Sequence, residues 1–270
     1  IAIDFNPTVT QHPRSLTEIA IPMNDLLMFT ILLLAGGAAG FINVLAGGGS
    51  ALTVPILVFM GFDPTVANGT NRIAILAEAA TGIAAFKKNQ YSDFALSWKL
   101  GLMTLPGAIL GAIYAVKVDD ELFMKLLGIV MILVILSLLF PKAKVMEHAK
   151  NHRWAEWLKW PVMFAIGFYG GFIQAGVGFV IMAGLTHLYS MDLVRVNMHK
   201  MFITLVFTVP AIILFIWTGN INWFAAIALA VGMSLGAWVA VKAAIKKGET
   251  IIRATLMVAL GMVAIKLLFF

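Results

Sequence analysis

Two glycine clusters interrupt apolar segments of the chain, and an amide side chain precedes each of them. The first cluster follows Asn43 and contains Gly47, Gly48, Gly49 and Ser50; the second follows Gln174 and contains Gly176 and Gly178. Irregular backbone at membrane depth is tolerated only where protein or a water-filled cavity satisfies its polar groups. We interpret the clusters as the lining of a polar cavity, where helix starts would direct positive dipole ends towards an anion. The structural alternative is close helix packing by small residues.

Two motifs that combine Asn with a cation open a long apolar segment in each half of the chain. Asn68, Asn71 and Arg72 belong to the first motif, and Asn197 and Lys200 belong to the second. Helix capping by Asn and snorkelling of the cation would explain both motifs structurally. The functional alternative is that at least one cation helps to bind an anion, because Arg offers a bidentate fork and Lys a point charge.

Glu78 is the acidic residue that lies deep within an apolar run. Helical spacing places Glu78 close to the face that carries Asn71, and it places Thr204 and Thr208 on the face of Lys200. An ionisable residue within a membrane segment is a functional candidate by default. Glu78 could carry a coupled proton, or it could pair with a neighbouring base, and the sequence leaves both alternatives open.

The composition places most of the chain in lipid. Of its 270 residues, 61% are hydrophobic and 12% are charged, whereas about 25% of the residues of a soluble domain are charged. The absence of cysteine excludes disulfides and thiolate chemistry. The sequence also contains no paired metal ligands, nucleotide-binding loop or haem-ligand pair. We therefore expect no metal, no cofactor and no enzymatic activity.

Three landmarks recur in the same order in the two halves: the glycine cluster, the Asn motif and a pair of glycines four residues apart. The glycine pairs are Gly107 with Gly111 and Gly232 with Gly236, a spacing typical of tight helix packing. The pattern predicts an all-α integral membrane protein with two inverted repeats of about five helical elements each, in which glycine-broken or re-entrant helices form the site. The predicted divisions are an N-terminal tail over 1–25, a first repeat over 26–140, a linker over 141–160 and a second repeat over 161–270.

Basic residues concentrate in the linker and predict its side of the membrane. The linker contains Lys142, Lys144, Lys150, Arg153 and Lys159. Loops rich in Lys and Arg face the cytoplasm, so we predict a cytoplasmic, interfacial linker. The formal charge of +6 has the same explanation, and nucleic acid is not expected as a partner.

These features together resemble the sulfite exporter TauE/SafE family, also called the toluene sulfonate uptake permease family. The resemblance rests on Asn43 with Gly47–Ser50, on the motif over 66–72, on their second copies and on the helix of Gly107 and Gly111, and it covers nearly all of residues 26–270. It implies a secondary transporter in the bacterial inner membrane for a sulfur-containing anion, such as sulfite or the organosulfonate sulfoacetate. Alternating access would move this anion, and a proton and a sodium ion are the candidate coupling ions. The second glycine cluster departs from the family pattern, because it lacks the full Gly-Gly-Gly-Ser run.

Three other functions remain alternatives at this stage. An anion channel would use the same cation-assisted polar cavity. An intramembrane enzyme would use Ser50 as its nucleophile, with His187 or His199 as the base. A structural membrane protein would have no central polar site.

Overall fold

The computed structural model describes residues 24–119, 121–123, 125–126, 129, 153–189, 191–252 and 254–255. All regular structure in these residues is helical, with no strand. The helices are α1 (Asp25–Ala46), α2 (Ser50–Phe59), α3 (Pro64–Lys88), α4 (Phe94–Ala115), α5 (Arg153–Phe172), α6 (Val177–Tyr189), α7 (Leu193–Trp217) and α8 (Trp223–Lys247). The predicted all-α class is confirmed.

Four of the described helices, α1, α4, α7 and α8, are long and apolar enough to cross a membrane. Their outer surfaces carry exposed apolar side chains such as Leu34, Trp98 and Trp238. By contrast, α3 buries charged residues, among them Arg72 and Glu78. Apolar residues outside and polar residues inside are the arrangement expected of helices in lipid. The chain is therefore a multi-pass helical membrane protein, as predicted.

Both glycine clusters break a helix. The first helix, α1, ends at Gly47, which has a φ of 89° and donates its N–H to the Asn43 carbonyl at 2.8 Å. This left-handed C-cap is a position that glycine occupies readily. The second break follows α5, where Gln174 and Gly176 have φ values of 64° and 73°. The short helices α2 and α6 begin directly after these breaks, which confirms the predicted interruptions.

Capping residues outside the Asn motifs start the long helices that follow the breaks. Asp192 accepts hydrogen bonds from the N–H groups of Val194 and Arg195 at the start of α7, at 3.1 and 3.0 Å. Pro64 opens α3 at its first turn, a favoured position for proline. Asn68 and Asn197 therefore lie inside their helices, and the capping alternative for them is wrong.

The paired glycines let helices of opposite halves touch through their backbones. A Cβ at Gly232 of α8 would collide with the Leu33 carbonyl of α1, and a Cβ at Gly107 of α4 would collide with the Phe164 carbonyl of α5. Gly236 and Gly111 repeat these contacts one turn further along each helix. The prediction of tight packing at these glycines is confirmed.

This packing arranges the described helices as two groups, each drawn from both halves of the chain. In the first group α8 packs against α1 and α3, and in the second group α4 packs against α5 and α7. The groups meet along α3 and α7. We refer to them below as the α1–α3–α8 group and the α4–α5–α7 group.

The predicted N-terminal tail and linker lie largely on residues outside the described part of the chain. The tail over 1–25 is described only at residues 24 and 25, and the linker over 141–160 only at residues 153–160. Residues 153–160 form the first turns of α5, which continues into the predicted second repeat.

Candidate functional site

The two helix breaks meet at Gly47 and Gly178. A Cβ on either glycine would collide with the backbone of the other. Gly48 lies against the Phe179 ring, and a Cβ at Gly49 would collide with the Ala39 carbonyl. Small side chains are therefore required for this crossing of the two halves. The starts of α2 and α6 consequently lie together in the protein interior.

Ser50 links the two breaks through its hydroxyl. Its Oγ donates to the Gln174 carbonyl at 3.3 Å and accepts the N–H of Gly176 at 3.1 Å. The Gln174 side chain continues the network, because its Nε2 donates to the Thr208 hydroxyl at 3.0 Å. Four residues are thus connected at the crossing, one from the first half and three from the second.

Asn43 connects the first glycine cluster to the buried acid. Its Nδ2 donates to both carboxylate oxygens of Glu78, at 3.0 Å to Oε1 and 2.8 Å to Oε2. Its Oδ1 accepts the N–H of Gly49 at 3.2 Å. Glu78 is 1% exposed, so this amide provides hydrogen bonds that water cannot. A buried carboxylate requires such donors.

Lys200 clamps the carbonyl end of α1. Its Nζ donates to the carbonyls of Asn43 and Val44, both at 2.7 Å, and approaches the Met182 sulfur at 3.7 Å. Lys200 is 1% exposed, so it does not snorkel to the membrane surface. Carbonyls at a helix C-terminus carry partial negative charge, which a cation stabilises.

Arg72 forms the reciprocal clamp on α5. Its guanidinium donates to the carbonyls of Gly170, Gly171 and Phe172 at distances of 3.1, 2.7 and 3.1 Å. The guanidinium also lies 4.8 Å from the centroid of the Phe215 ring. Arg72 is fully buried, which excludes snorkelling here too. Direct contact of either cation with an anion stays a prediction.

The remaining Asn residues lie beside these clamps. Asn68 donates to the Phe172 carbonyl at 3.1 Å, and the Oδ1 of Asn71 accepts the Thr53 hydroxyl at 2.5 Å. Several buried polar atoms have no hydrogen-bond partner among the described residues: Asn71 Nδ2, Arg72 Nε, Gln174 Oε1, and both Nδ2 and Oδ1 of Asn197. Unpartnered buried polar atoms are costly and call for an explanation, such as a ligand.

The arrangement can bind a small anion through neutral donors and fixed positive charge. Two helix starts, those of α2 and α6, contribute the positive ends of their dipoles. Arg72 and Lys200 add charge from within the protein. The described residues contain no group of three or more His, Asp or Glu that could hold a metal ion.

Sequence reasoning did not assign two polar contacts of this site. Thr53 of α2 donates to Asn71 of α3 just after the first break, and the Tyr169 hydroxyl at the end of α5 donates to the Ala175 carbonyl in the second break. A Tyr directly before a glycine pair in an otherwise apolar segment was the available signal for Tyr169. The enzyme alternative paired Ser50 with His199, but the structure pairs His199 Nδ1 with the Ser97 hydroxyl at 2.8 Å. The side chain of His187 lies outside the described part of the chain.

Buried charges and broken helices inside a multi-pass helical bundle are typical of membrane transport proteins. Comparison with known proteins leads to the same class. The chain belongs to the sulfite exporter TauE/SafE family, whose model matches residues 32–267. The resemblance seen in the sequence is thereby confirmed.

Curated relatives cover nearly the whole chain. A "Probable membrane transporter protein" of Haemophilus influenzae is 25% identical over 244 residues, which are 90% of this chain and 95% of the relative. The protein named ORF9 from Sinorhizobium sp is 27% identical over 247 residues, or 89% of this chain and 92% of the relative. YfcA of Escherichia coli K12 is 26% identical over 251 residues, or 90% of each chain. No solved structure matches. The chain is therefore a membrane transporter.

Proposed function

We propose that this protein is a secondary transporter that moves a small sulfur-containing anion across the bacterial inner membrane by alternating access. The substrate class is sulfite or an organosulfonate such as sulfoacetate, in keeping with the family. The observation that carries the proposal is the crossing of the two helix breaks, where α2 and α6 both begin next to buried polar atoms without protein partners. Broken helices at the interface between repeats are the usual substrate site of secondary transporters.

The reciprocal contacts between the halves support an internal two-fold repeat. The first long helix of each half packs on the fourth described helix of the other half, with α1 on α8 and α5 on α4. Gly47 and Gly178 touch each other, as residues near a two-fold axis do. Inverted repeats would bring the two breaks together at one substrate site between the halves, which is the geometry that alternating access requires.

The packing also suggests which bodies move. Backbone contacts at glycines hold α1 to α8 and α4 to α5, so a motion that separated the two halves would break them. We therefore propose that the α1–α3–α8 group rocks against the α4–α5–α7 group. Arg72 and Lys200 reach from one group to the other, and their hydrogen bonds to carbonyls would be remade in each cycle.

The orientation of the protein and its coupling ion complete the proposal. The basic linker over 141–160 would face the cytoplasm, by the positive-inside rule. A proton and a sodium ion remain the candidate coupling ions, and the buried Glu78 favours the proton.

Ligand binding to the purified protein tests this function. Sulfite, thiosulfate, sulfate and short alkylsulfonates should be compared by calorimetry, for the wild type and for Asn43→Ala and Gln174→Ala. Hydrogen bonds to charged groups contribute about 1.5–3 kcal/mol each, so each variant should bind about ten- to a hundredfold more weakly. Asn89→Ala is the matched control, because the Asn89 side-chain amide donates to the Ala85 carbonyl at the end of α3, away from the helix breaks.

Transport itself is tested in proteoliposomes. A carrier that alternates its access accelerates exchange of labelled for unlabelled anion, whereas a channel does not concentrate label by counterflow. Unchanged affinity in both Asn43→Ala and Gln174→Ala would contradict the proposed site, and absence of counterflow would contradict the carrier mechanism.

A further inference from the structure

The Asn43 amide lies between two groups that impose one orientation on it. The Gly49 N–H can only donate, so it must face Oδ1, and an ionised carboxylate can only accept, so Glu78 must face Nδ2. Both observed contacts obey this rule. The described orientation of the amide is therefore the one that an ionised Glu78 requires.

A protonated Glu78 favours the opposite orientation of the amide, although its C=O oxygen can still accept a hydrogen bond. Its new O–H group is a donor, and Nδ2 of Asn43 cannot accept it. Half a turn of the amide brings Oδ1 to the Glu78 O–H and removes it from the Gly49 N–H. A buried N–H that loses its acceptor is destabilising. An anion that accepts the Gly49 N–H would remove this cost.

The charges around Glu78 point in the same direction. Among the helices that pack on α3, α7 contributes Lys200, which is the described charged residue that interacts electrostatically with Glu78. The first helix contributes the neutral Asn43, and α2 contains no charged residue. The charged residues of α8 are in its last two turns: Lys242, Lys246 and Lys247. On α3 itself, Arg72 is directed at the α5 carbonyls.

Protonation of Glu78 thus changes the charge balance of the site. An ionised Glu78 and the Lys200 ammonium sum to zero, whereas a protonated Glu78 leaves the buried positive charge of Lys200 uncompensated. Uncompensated charge in the protein interior is strongly unfavourable. A monovalent anion next to Gly49 would restore neutrality. Hydrogen bonding and charge balance therefore both favour the binding of an anion together with a proton.

We propose that Glu78 and Asn43 form a proton-controlled gate on the Gly49 amide, so that one proton and one monovalent anion bind together. The proton resides on a Glu78 carboxyl oxygen and donates to Asn43 Oδ1, and the freed Gly49 N–H donates to the anion. Lys200 keeps its carbonyl partners while the Asn43 amide turns. This inference rests on the proposed transport function and gives it a coupling ion.

Anion binding measures the coupling directly. The probe is methanesulfonate, which keeps a single negative charge from mildly acidic to mildly alkaline pH. Because binding is reciprocal, uptake of about one proton per anion requires the affinity to rise about tenfold for each unit of falling pH. Calorimetry in buffers with different ionisation enthalpies should report this uptake. Glu78→Gln keeps an acceptor for Asn43 but takes no proton, so the tenfold change of its affinity for each pH unit should be lost.

Gln174→Asn is the matched control for the binding measurement. Gln174 is the equivalent amide of the second half and bonds to Thr208, which does not titrate. Asn tolerates the positive φ of this position but is too short to reach Thr208 as Gln does. The variant should bind methanesulfonate more weakly and keep the wild-type dependence on pH. Wild-type binding without proton uptake would overturn the proposal.

Hydrogen exchange tests the gate without any anion. Protection factors of the Gly49 amide should be corrected for the intrinsic exchange rate at each pH. The protection factor should fall in the wild type as pH is lowered, and it should stay constant in Glu78→Gln. Protection of the wild-type amide that does not change with pH would overturn the gate. If the protection of the Gly49 amide responds to pH but no sulfur-containing anion binds, the proposed substrate class is refuted and the gate is supported. Failure of the gate and failure of the proposed function are therefore distinguishable.

Discussion

Replacing Lys200 with Met should strongly destabilise the fold, and removing the charge of Glu78 should reverse part of that loss. Lys200 provides two hydrogen bonds to the carbonyls of Asn43 and Val44, both at 2.7 Å. Hydrogen bonds that involve a charged group contribute about 1.5–3 kcal/mol each, which gives about 3–6 kcal/mol for the pair. Loss of one partner from a buried set of charges costs about 3–5 kcal/mol. We therefore expect Lys200→Met to lower the free energy of unfolding by about 4 kcal/mol.

Part of this loss of stability arises because the substitution leaves the negative charge of Glu78 without a compensating positive charge. Glu78→Gln keeps the acceptor for Asn43 and removes that charge, so the double variant should be more stable than the sum of the two single effects predicts. The interaction energy should be about 0.5–3 kcal/mol, the range found for residues of one network. The assay is reversible unfolding of the purified protein in mixed micelles, measured as a double-mutant cycle.

Arg72 provides the matched control for this cycle. It clamps three carbonyls of α5 just as Lys200 clamps two of α1, but it shares no hydrogen-bond partner with Glu78. Arg72→Met should therefore be at least as destabilising as Lys200→Met, and its effect should add to that of Glu78→Gln within about 0.5 kcal/mol. Additivity in the Lys200 cycle as well would refute the idea that Lys200 compensates the charge of Glu78.

Three further predictions follow from the packing and the topology. Gly40→Ala should destabilise the protein, because its Cβ would collide with the Met233 carbonyl. Gly37→Ala on the same helix should be tolerated, since the atom nearest to its Cβ would be 3.8 Å away. The two variants should be compared by their unfolding midpoints, and equal midpoints would contradict the close α1–α8 contact. A cross-link between Phe29→Cys and Phe224→Cys lies within the α1–α3–α8 group and should preserve counterflow. A cross-link between Gly82→Cys and Met201→Cys joins the two groups and should abolish counterflow. The reverse result would contradict the proposal that these two groups move as rigid bodies. Lys144→Cys and Lys246→Cys should both react with an impermeant maleimide from the cytoplasmic side, and reaction from opposite sides would contradict the predicted orientation.

The helix breaks could be predicted from the sequence because their cause is local. Gly47 adopts a positive φ at the end of α1, and glycine is the residue that does so without strain. The same holds for the contact glycines, since a four-residue spacing of small residues on one helix face indicates close approach wherever the partner lies. The partner helix itself was not predictable, because α1 packs on a helix at the far end of the chain.

The contacts of the buried cations could not be predicted for the same reason. Lys200 is 157 residues from the Asn43 carbonyl that it binds, and helical periodicity within one segment contains no information on such a distant partner. The sequence left capping, snorkelling and anion binding open for Arg72 and Lys200. The structure adds a fourth role, the clamping of broken helix ends, which depends on where α1 and α5 stop relative to α7 and α3.

The two halves are alike in backbone contacts but differ in chemistry, and this difference bears on stoichiometry. In the first half the amide Asn43 binds an acid, and in the second half the amide Gln174 binds the hydroxyl of Thr208. Glu78 is the acid among the described buried residues. Two equivalent acids would let the protein bind two protons and would repel each other in a low-dielectric interior. With one acid and one hydroxyl, the protein can take up one proton, and the charge of Lys200 then requires one anion. The different side chains of the two halves at the crossing of the helices are therefore what would make the coupled movement of one proton with one anion chemically balanced.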